Sequence, residues 1–219
     1  MILNPNSKLM VAGIAVLGAV LIAMIVTLAM RPPANSGPVV RSGPVKVSGE
    51  AQIGGPFTLV NHLGETVTEA DFQGKAMLIY FGFTYCPDIC PTALQSMNVA
   101  LSQLSDQERA QFQPVLITID PERDTPEALE QYVTAEVFPE NLVGLTGTLE
   151  QIEDVARAYR VYYARIDDDE SYAQYLMDHT SVMFLMDETG QFADLFADKT
   201  DPLTIASRLQ YFLENRVVN

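Results

Sequence analysis

The feature that most constrains this chain is Ala76 to Phe83, AMLIYFGF, a short and almost wholly apolar run. A run of this length, rich in Ile and aromatic residues and bounded by turn residues, suits a strand covered on both faces. Asp71-Phe72-Gln73-Gly74-Lys75 turns into it, and Cys86 and Cys90 follow it at once. From Thr92 the apolar spacing becomes helical: Leu94, Met97, Leu101 and Leu104 share one face and predict a helix to about Leu104. The chain must therefore cover a buried strand, a cysteine loop and a helix in that order.

The same punctuation recurs downstream. Two weak strands, Phe57–Val60 and Thr66–Thr68, flank a turn at residues 62–65. Pro114–Asp120 is a second β-branched run. After it Thr125 can cap a helix, with Pro126 in its first turn and Leu129, Tyr132 and Val133 on its buried side. A short strand at Leu142–Leu145 precedes Thr148-x-x-Gln151, which fits a capping box, and Ile152, Val155 and Tyr159 continue that helix. Strands are expected at Val161–Ile166, Ser181–Met186 and Gln191–Ala197. Asp201 caps a last helix whose Ile205, Leu209 and Phe212 face the core. Strands alternating with helices indicate an α/β domain with a mixed sheet flanked by helices.

The front of the chain is different. Leu9–Met30 is a run of 22 residues without a charge, between Lys8 and Arg31. As a helix it spans roughly 33 Å, enough for a bilayer core and longer than the apolar part of a cleaved signal peptide. We read residues 1–8 as a short tail, 9–30 as a transmembrane signal anchor, 31–50 as a flexible Pro-, Gly- and Ser-rich linker, and 51–219 as one domain. Residues 1–46 carry four basic and no acidic residues. Residues 47–219 carry nine basic against twenty-eight acidic ones, a formal −19. A domain so acidic repels nucleic acid, which is excluded as a partner. Basic residues lie on both sides of the anchor, so charge alone leaves its orientation open.

Cys86 and Cys90 are the only cysteines in 219 residues. A helix amino terminus favours thiolate over thiol. On one helical turn, residues four apart have Cα atoms about 6.2 Å apart, within disulfide range. Redox exchange and joint ligation of a soft metal are both open to such a pair. A structural disulfide closing so short a loop would stabilise little. A metal needs a further ligand, and imidazole suits copper and zinc. Of the two histidines, His62 lies in the hairpin turn and is read as solvated. His179 stands immediately before the strand SVMFLM, where a site or a plain surface imidazole is equally compatible with the pattern. Asp178 beside it could orient the ring.

Four segments in order, FGFTYCPDICPTAL, LITIDPERDTPEAL, VGLTGTLEQIEDVARAYRVYY and MDHTSVMFLMDETGQF, together resemble the Sco/SenC family over roughly residues 50–215. The resemblance implies a thioredoxin-like fold behind one membrane anchor, and a copper-binding protein that helps assemble the CuA centre of cytochrome c oxidase. It places the family's copper ligands on Cys86, Cys90 and His179; Asp178, beside the last, is a candidate outer partner on its position alone, or a solvent-facing neighbour. The cargo is copper as Cu(I), with Cu(II) as a second state whose fourth donor is Asp178 or water. The implied partners are the oxidase subunit carrying CuA, a periplasmic copper donor and a thiol reductant. The implied location is the bacterial inner membrane, with the soluble domain facing the periplasm. Thioredoxin-like oxidoreductases usually carry a proline where this chain has Asp178-His179-Thr180, which favours metal binding over dithiol exchange.

Two alternatives stand beside this reading. A membrane-tethered thiol–disulfide reductase would use Cys86 and Cys90 catalytically and spare His179. A peroxidase or redox sensor is disfavoured because no Arg lies near the cysteines in sequence. Asp120-Pro121-Glu122-Arg123-Asp124 is read as a helix start with a local ion pair, or as a docking element. The tract Asp167–Glu170 is read as a solvated loop, and Met177, Met183 and Met186 as packing rather than copper ligands.

Overall fold

A computed structural model describes Met24 and residues 53–167 and 175–216. The fold set out here is that of the compact unit formed by residues 44–219. Apart from Met24, which is helical, the tail, anchor and linker expected over residues 1–50 lie outside the described residues. Among the described residues no helix is long and apolar enough to cross a membrane.

The strands are β1 (Thr58–Asn61), β2 (Thr66–Thr68), β3 (Ala76–Gly82), β4 (Phe112–Thr118), β5 (Val143–Thr146), β6 (Tyr163–Asp167), β7 (Tyr175–His179), β8 (Val182–Met186) and β9 (Phe192–Ala197). The helices are α1 (Ile89–Ser102), the single turn α2 (Asp106–Arg109), α3 (Pro126–Val133), α4 (Leu149–Ala158) and α5 (Pro202–Asn215), with a 3-10 turn at Glu69–Phe72. Seven strands form one mixed sheet in the order β2-β1-β5-β4-β3-β8-β9, and β6 and β7 form a separate antiparallel ribbon.

The apolar run behaves as its composition demands. All of β3 is buried, and it is central, parallel to β4 and antiparallel to β8. Its side chains alternate between faces. Phe81 meets Tyr159 and Phe184 at ring separations of 5.4 and 6.0 Å. On its other face Tyr80 and Gly82 lie against Cys90. Helix α1 also contacts α5, and α3 lies on β5, where a Cβ on Gly144 would come within 3.0 Å of Val133. The sequence-predicted caps are made. Thr125, Thr148 and Asp201 side chains accept from the N–H groups of Ala128, Gln151 and Thr204.

Two expectations need correction. Helix α1 begins at Ile89 rather than near Thr92, so Cys90 lies in its first turn. His179 stands before β8 as read, but it also ends β7, a strand absent from the sequence reading, where it pairs with Tyr163 of β6. Of the acidic tract, Asp167 ends β6 and the remainder lies outside the described residues. Met183 and Met186 are buried in the core and Met177 packs against it.

Candidate metal centre

The topology brings the cysteines and His179 together. β8 runs antiparallel to β3 with Tyr80 opposite Met183. Continuing that register brings residue 179 level with residue 84. The chain that leaves β3 towards the cysteines and the chain that enters β8 from His179 therefore meet at one end of the sheet.

Both cysteines are free; Cys90 is buried and Cys86 half-buried. The first turn of α1 has no side-chain cap from Asp88. Its Cys90 N–H instead donates to the Cys86 sulfur at 3.4 Å. The Cys86 thiol is pushed down to about 4, first by the hydrogen bond from Cys90, against its partial burial, and further by His179 and the backbone N–H groups of Cys90 and Asp88. Cys90 is pushed up because its own proton is the one shared with Cys86 and because it is buried. The pair is thus one thiolate and one thiol sharing a single proton.

His179 Nε2 lies 3.6 Å from the Cys90 sulfur. The other ring nitrogen, Nδ1, is 3.1 Å from the Thr180 carbonyl oxygen. A carbonyl only accepts, so Nδ1 carries a proton; Nε2 faces the sulfurs, donating to Cys86 while it holds a proton of its own and offering a lone pair to a metal once it does not. This is the tautomer a metal ligand requires, and a backbone carbonyl is a usual outer partner for it. Asp178 does not serve here: it is exposed, and adjacent strand residues point to opposite faces. The ring is held edge-on by Tyr80 and Phe83 at 6.1 and 6.0 Å. Two ligands about 2.0 and 2.3 Å from one ion, at tetrahedral to trigonal angles, stand roughly 3.6 Å apart. The Cys90–His179 spacing fits that. Among the described residues, no three His, Cys, Asp or Glu side chains are drawn up around one ion position. The trio is therefore a set of touching donors rather than a closed cage.

The segment Asp120–Asp124 forms the wall of the site, and its role was under-read from sequence. Arg123 pairs with Asp120, as expected, at 2.5 Å. It also lies over the rings of Tyr85 at 4.7 Å and Tyr175 at 3.6 Å, and donates to the Tyr175 carbonyl. An arginine does reach the cysteine loop through the fold, but it is engaged there by Asp120 and the rings of Phe83, Tyr85 and Tyr175. Tyr175 donates to Asp120 at 2.7 Å. Asp124 is fully buried and accepts from the Thr84 N–H, the Thr84 hydroxyl and the Thr118 hydroxyl. It ties the cysteine loop to the end of β4. His62 is not free in solvent; its Nδ1 accepts the Gly144 N–H at 3.2 Å, well away from the cysteines in the sheet order.

The SCO1/SenC family model matches residues 45–214. The mouse mitochondrial SCO1 homolog is 47% identical over 157 residues, 71% of this chain and 54% of the mouse protein. The human homolog is 45% identical over 157 residues, covering 71% and 51%. The match thus spans about half the length of these relatives. Among solved structures, Arabidopsis thaliana ScoI with copper bound superposes with a TM-score of 0.70 at 38% identity, over 75% of this chain and 99% of that one. Yeast Sco1 with copper bound gives 0.70 at 36%, over 76% and 91%. A mixed sheet with a cysteine loop at one end is by itself a common plan. Agreement in sequence along nearly the whole unit, on that same plan, is not, and the chain belongs to the SCO1/SenC family.

Proposed function

We propose that this protein is a copper carrier rather than an enzyme: it holds one Cu(I) through Cys86, Cys90 and His179 and delivers it to the CuA site of cytochrome c oxidase. The observation that carries the reading is the His179 ring, fixed by the Thr180 carbonyl with Nε2 facing the Cys90 sulfur at 3.6 Å. Two thiolates and an imidazole are a soft, low-coordinate set suited to Cu(I). The solved relatives from Arabidopsis thaliana and yeast hold copper, and the oxidase as acceptor follows from the family resemblance. The open, uncaged arrangement suits an ion that must leave again, with acceptor thiolates entering as the donor's ligands depart. Binding needs the cysteines reduced, so a thiol reductant and a copper donor complete the scheme. Leu9–Met30 would hold the chain in the bacterial inner membrane, with the domain in the periplasm. For Cu(II) a water is the fourth donor we favour over Asp178, whose carboxylate is exposed.

One observation favours a second reading, a thiol–disulfide reductase. The split protonation of the pair, with a thiolate on the more exposed Cys86, is that of an attacking sulfur and its resolving partner. The two readings separate on His179. Anaerobic titration of the reduced chain with Cu(I) against a competing chelator should give one tightly held ion, weakened at least tenfold by His179→Ala. Binding indifferent to His179 would reject the carrier and leave the dithiol acting alone.

A further inference from the structure

His179 is fixed on one side by the chain entering β8 and on the other by β7. β6 and β7 pair with each other and lie outside the main sheet, and a two-stranded ribbon is marginal on its own. The ribbon is fastened at Tyr175, four residues before His179 on the same side of β7. There the Tyr175 hydroxyl donates to Asp120 at 2.7 Å, and its carbonyl accepts from Arg123 at 3.1 Å. Two guanidinium groups lie over the Tyr175 ring, Arg123 at 3.6 Å and Arg165 at 3.8 Å, each too close to leave room for the other on the same face. The Arg123 guanidinium also lies over Tyr85 at 4.7 Å and Phe83 at 6.0 Å. Those two rings belong to the chain between β3 and Cys86, and Phe83 itself meets the His179 ring edge-on at 6.0 Å. One guanidinium therefore joins the loop that carries Cys86 to the ribbon that carries His179. Its ion pair with the buried Asp120 fixes its aim, and contacts between a cation and a ring strengthen when water is excluded. A lysine keeps the charge beside Asp120 but has no planar face to lay on the rings.

Building on the copper-carrier reading, we propose that Arg123 is a positioning residue for the candidate metal centre: its guanidinium, laid on Phe83, Tyr85 and Tyr175, holds the ribbon against the cysteine loop and so keeps His179 Nε2 at the sulfurs. It acts through the rings and touches neither the donors nor an ion. The cysteine loop keeps its own tie, from Thr84 to Asp124. Loss of the guanidinium therefore frees the histidine and leaves the cysteines in place.

The test uses the two histidines of the chain as reporters. His179 stands edge-on to Tyr80 and Phe83, whereas His62 accepts the Gly144 N–H in β5. Imidazole NMR signals of the reduced, metal-free full chain are compared between wild type and Arg123→Lys. The expected result is a His179 signal moved to its unfolded-chain position, with the His62 signal unmoved. In chelator competition Arg123→Lys should bind Cu(I) about tenfold more weakly, and His179→Ala added to it should cost about twofold or less, because the ring has already left. An unmoved His179 signal overturns the proposal, and so do losses from Arg123→Lys and His179→Ala that add in full. Tyr175→Leu, which takes the ring from the ribbon and leaves the Arg123–Asp120 pair, should move the same signal. If Arg123→Lys fails to fold, with both histidine signals at unfolded-chain positions, Tyr175→Leu decides alone, and an unmoved His179 signal there overturns the proposal. If wild type binds Cu(I) without regard to His179, the carrier reading falls, while the metal-free signals still decide whether Arg123 places the ring.

Discussion

Asp124 offers the sharpest test of how the cysteine loop is held. Its carboxylate accepts the Thr118 hydroxyl at 2.6 Å, the Thr84 hydroxyl at 2.5 Å and the Thr84 N–H at 3.1 Å. Asp124→Ala leaves two hydroxyls and one N–H without an acceptor. Each buried group left unpaired costs about 1–3 kcal/mol. Thr84 is only partly buried, so its two donors are discounted, and the sum is about 4 kcal/mol. For a domain of this size that lowers the melting temperature by roughly 10 °C. Asp124→Asn keeps one acceptor oxygen and should cost about half as much. The pH dependence has a definite sign. Burial raises the Asp124 carboxyl above its ordinary 3.8, despite the hydrogen bonds from Thr118 and Thr84. The folded chain then binds more protons than the unfolded chain in that window, so this group's contribution is full below 3.8 and is lost as pH rises through the raised value. The advantage of wild type over Asp124→Asn should therefore shrink as pH rises through that window. Thermal melts of the metal-free proteins across pH measure both effects. An Asp124→Ala chain melting within a degree or two of wild type would refute the reasoning, as would an Asn variant with the wild-type pH slope.

Three further outcomes follow from the same geometry. Gly82→Ala places a methyl 2.9 Å from Tyr80 and 3.0 Å from the Cys90 sulfur; overpacking of this kind costs about 1–3 kcal/mol, and Cu(I) competition should show weaker binding as the sulfur is displaced. Because Cys86 is held down at about 4, alkylation of one sulfur in the reduced, metal-free protein should stay nearly constant between ~pH 8 and ~pH 6, where an ordinary thiol slows about tenfold per unit; a tenfold-per-unit fall would contradict the thiolate. Deleting residues 1–30 should move the protein from the membrane pellet to the soluble fraction without loss of Cu(I) binding, and a truncated chain that still pellets would dismiss Leu9–Met30 as the anchor.

Much of the fold was legible because its signals are local. The buried β3, the caps at Thr125, Thr148 and Asp201, and the turn residues each follow from a handful of neighbours. The ribbon of β6 and β7 was half missed for a physical reason. In Tyr175-Leu176-Met177-Asp178-His179 the inward residues are Tyr, Met and His, while Leu176 faces out. Side chains do alternate, but apolar and polar residues do not alternate with them, so period two is hidden. The wall of the site was illegible for another reason. Arg123 and Asp124 satisfy local rules at a helix start, and those rules are silent on partners such as Tyr175 and Thr84, 52 and 40 residues away.

Helix α1 ties the two halves of this together. Asp88 stands where a capping side chain belongs, yet it makes no cap bond, whereas α3, α4 and α5 are all capped as their sequences predict. The N–H that a cap would take goes to the Cys86 sulfur. A sulfur is a poorer acceptor than a carboxylate unless it is a thiolate, so the arrangement is favourable only with Cys86 ionised. The helix start therefore exchanges an ordinary cap for a charged sulfur, and it does so next to His179, whose Nε2 faces the pair. The departure from the local rule is confined to the residues that would hold the ion. That makes the missing cap, more than the Cys-x-x-x-Cys spacing itself, the structural mark of the proposed site.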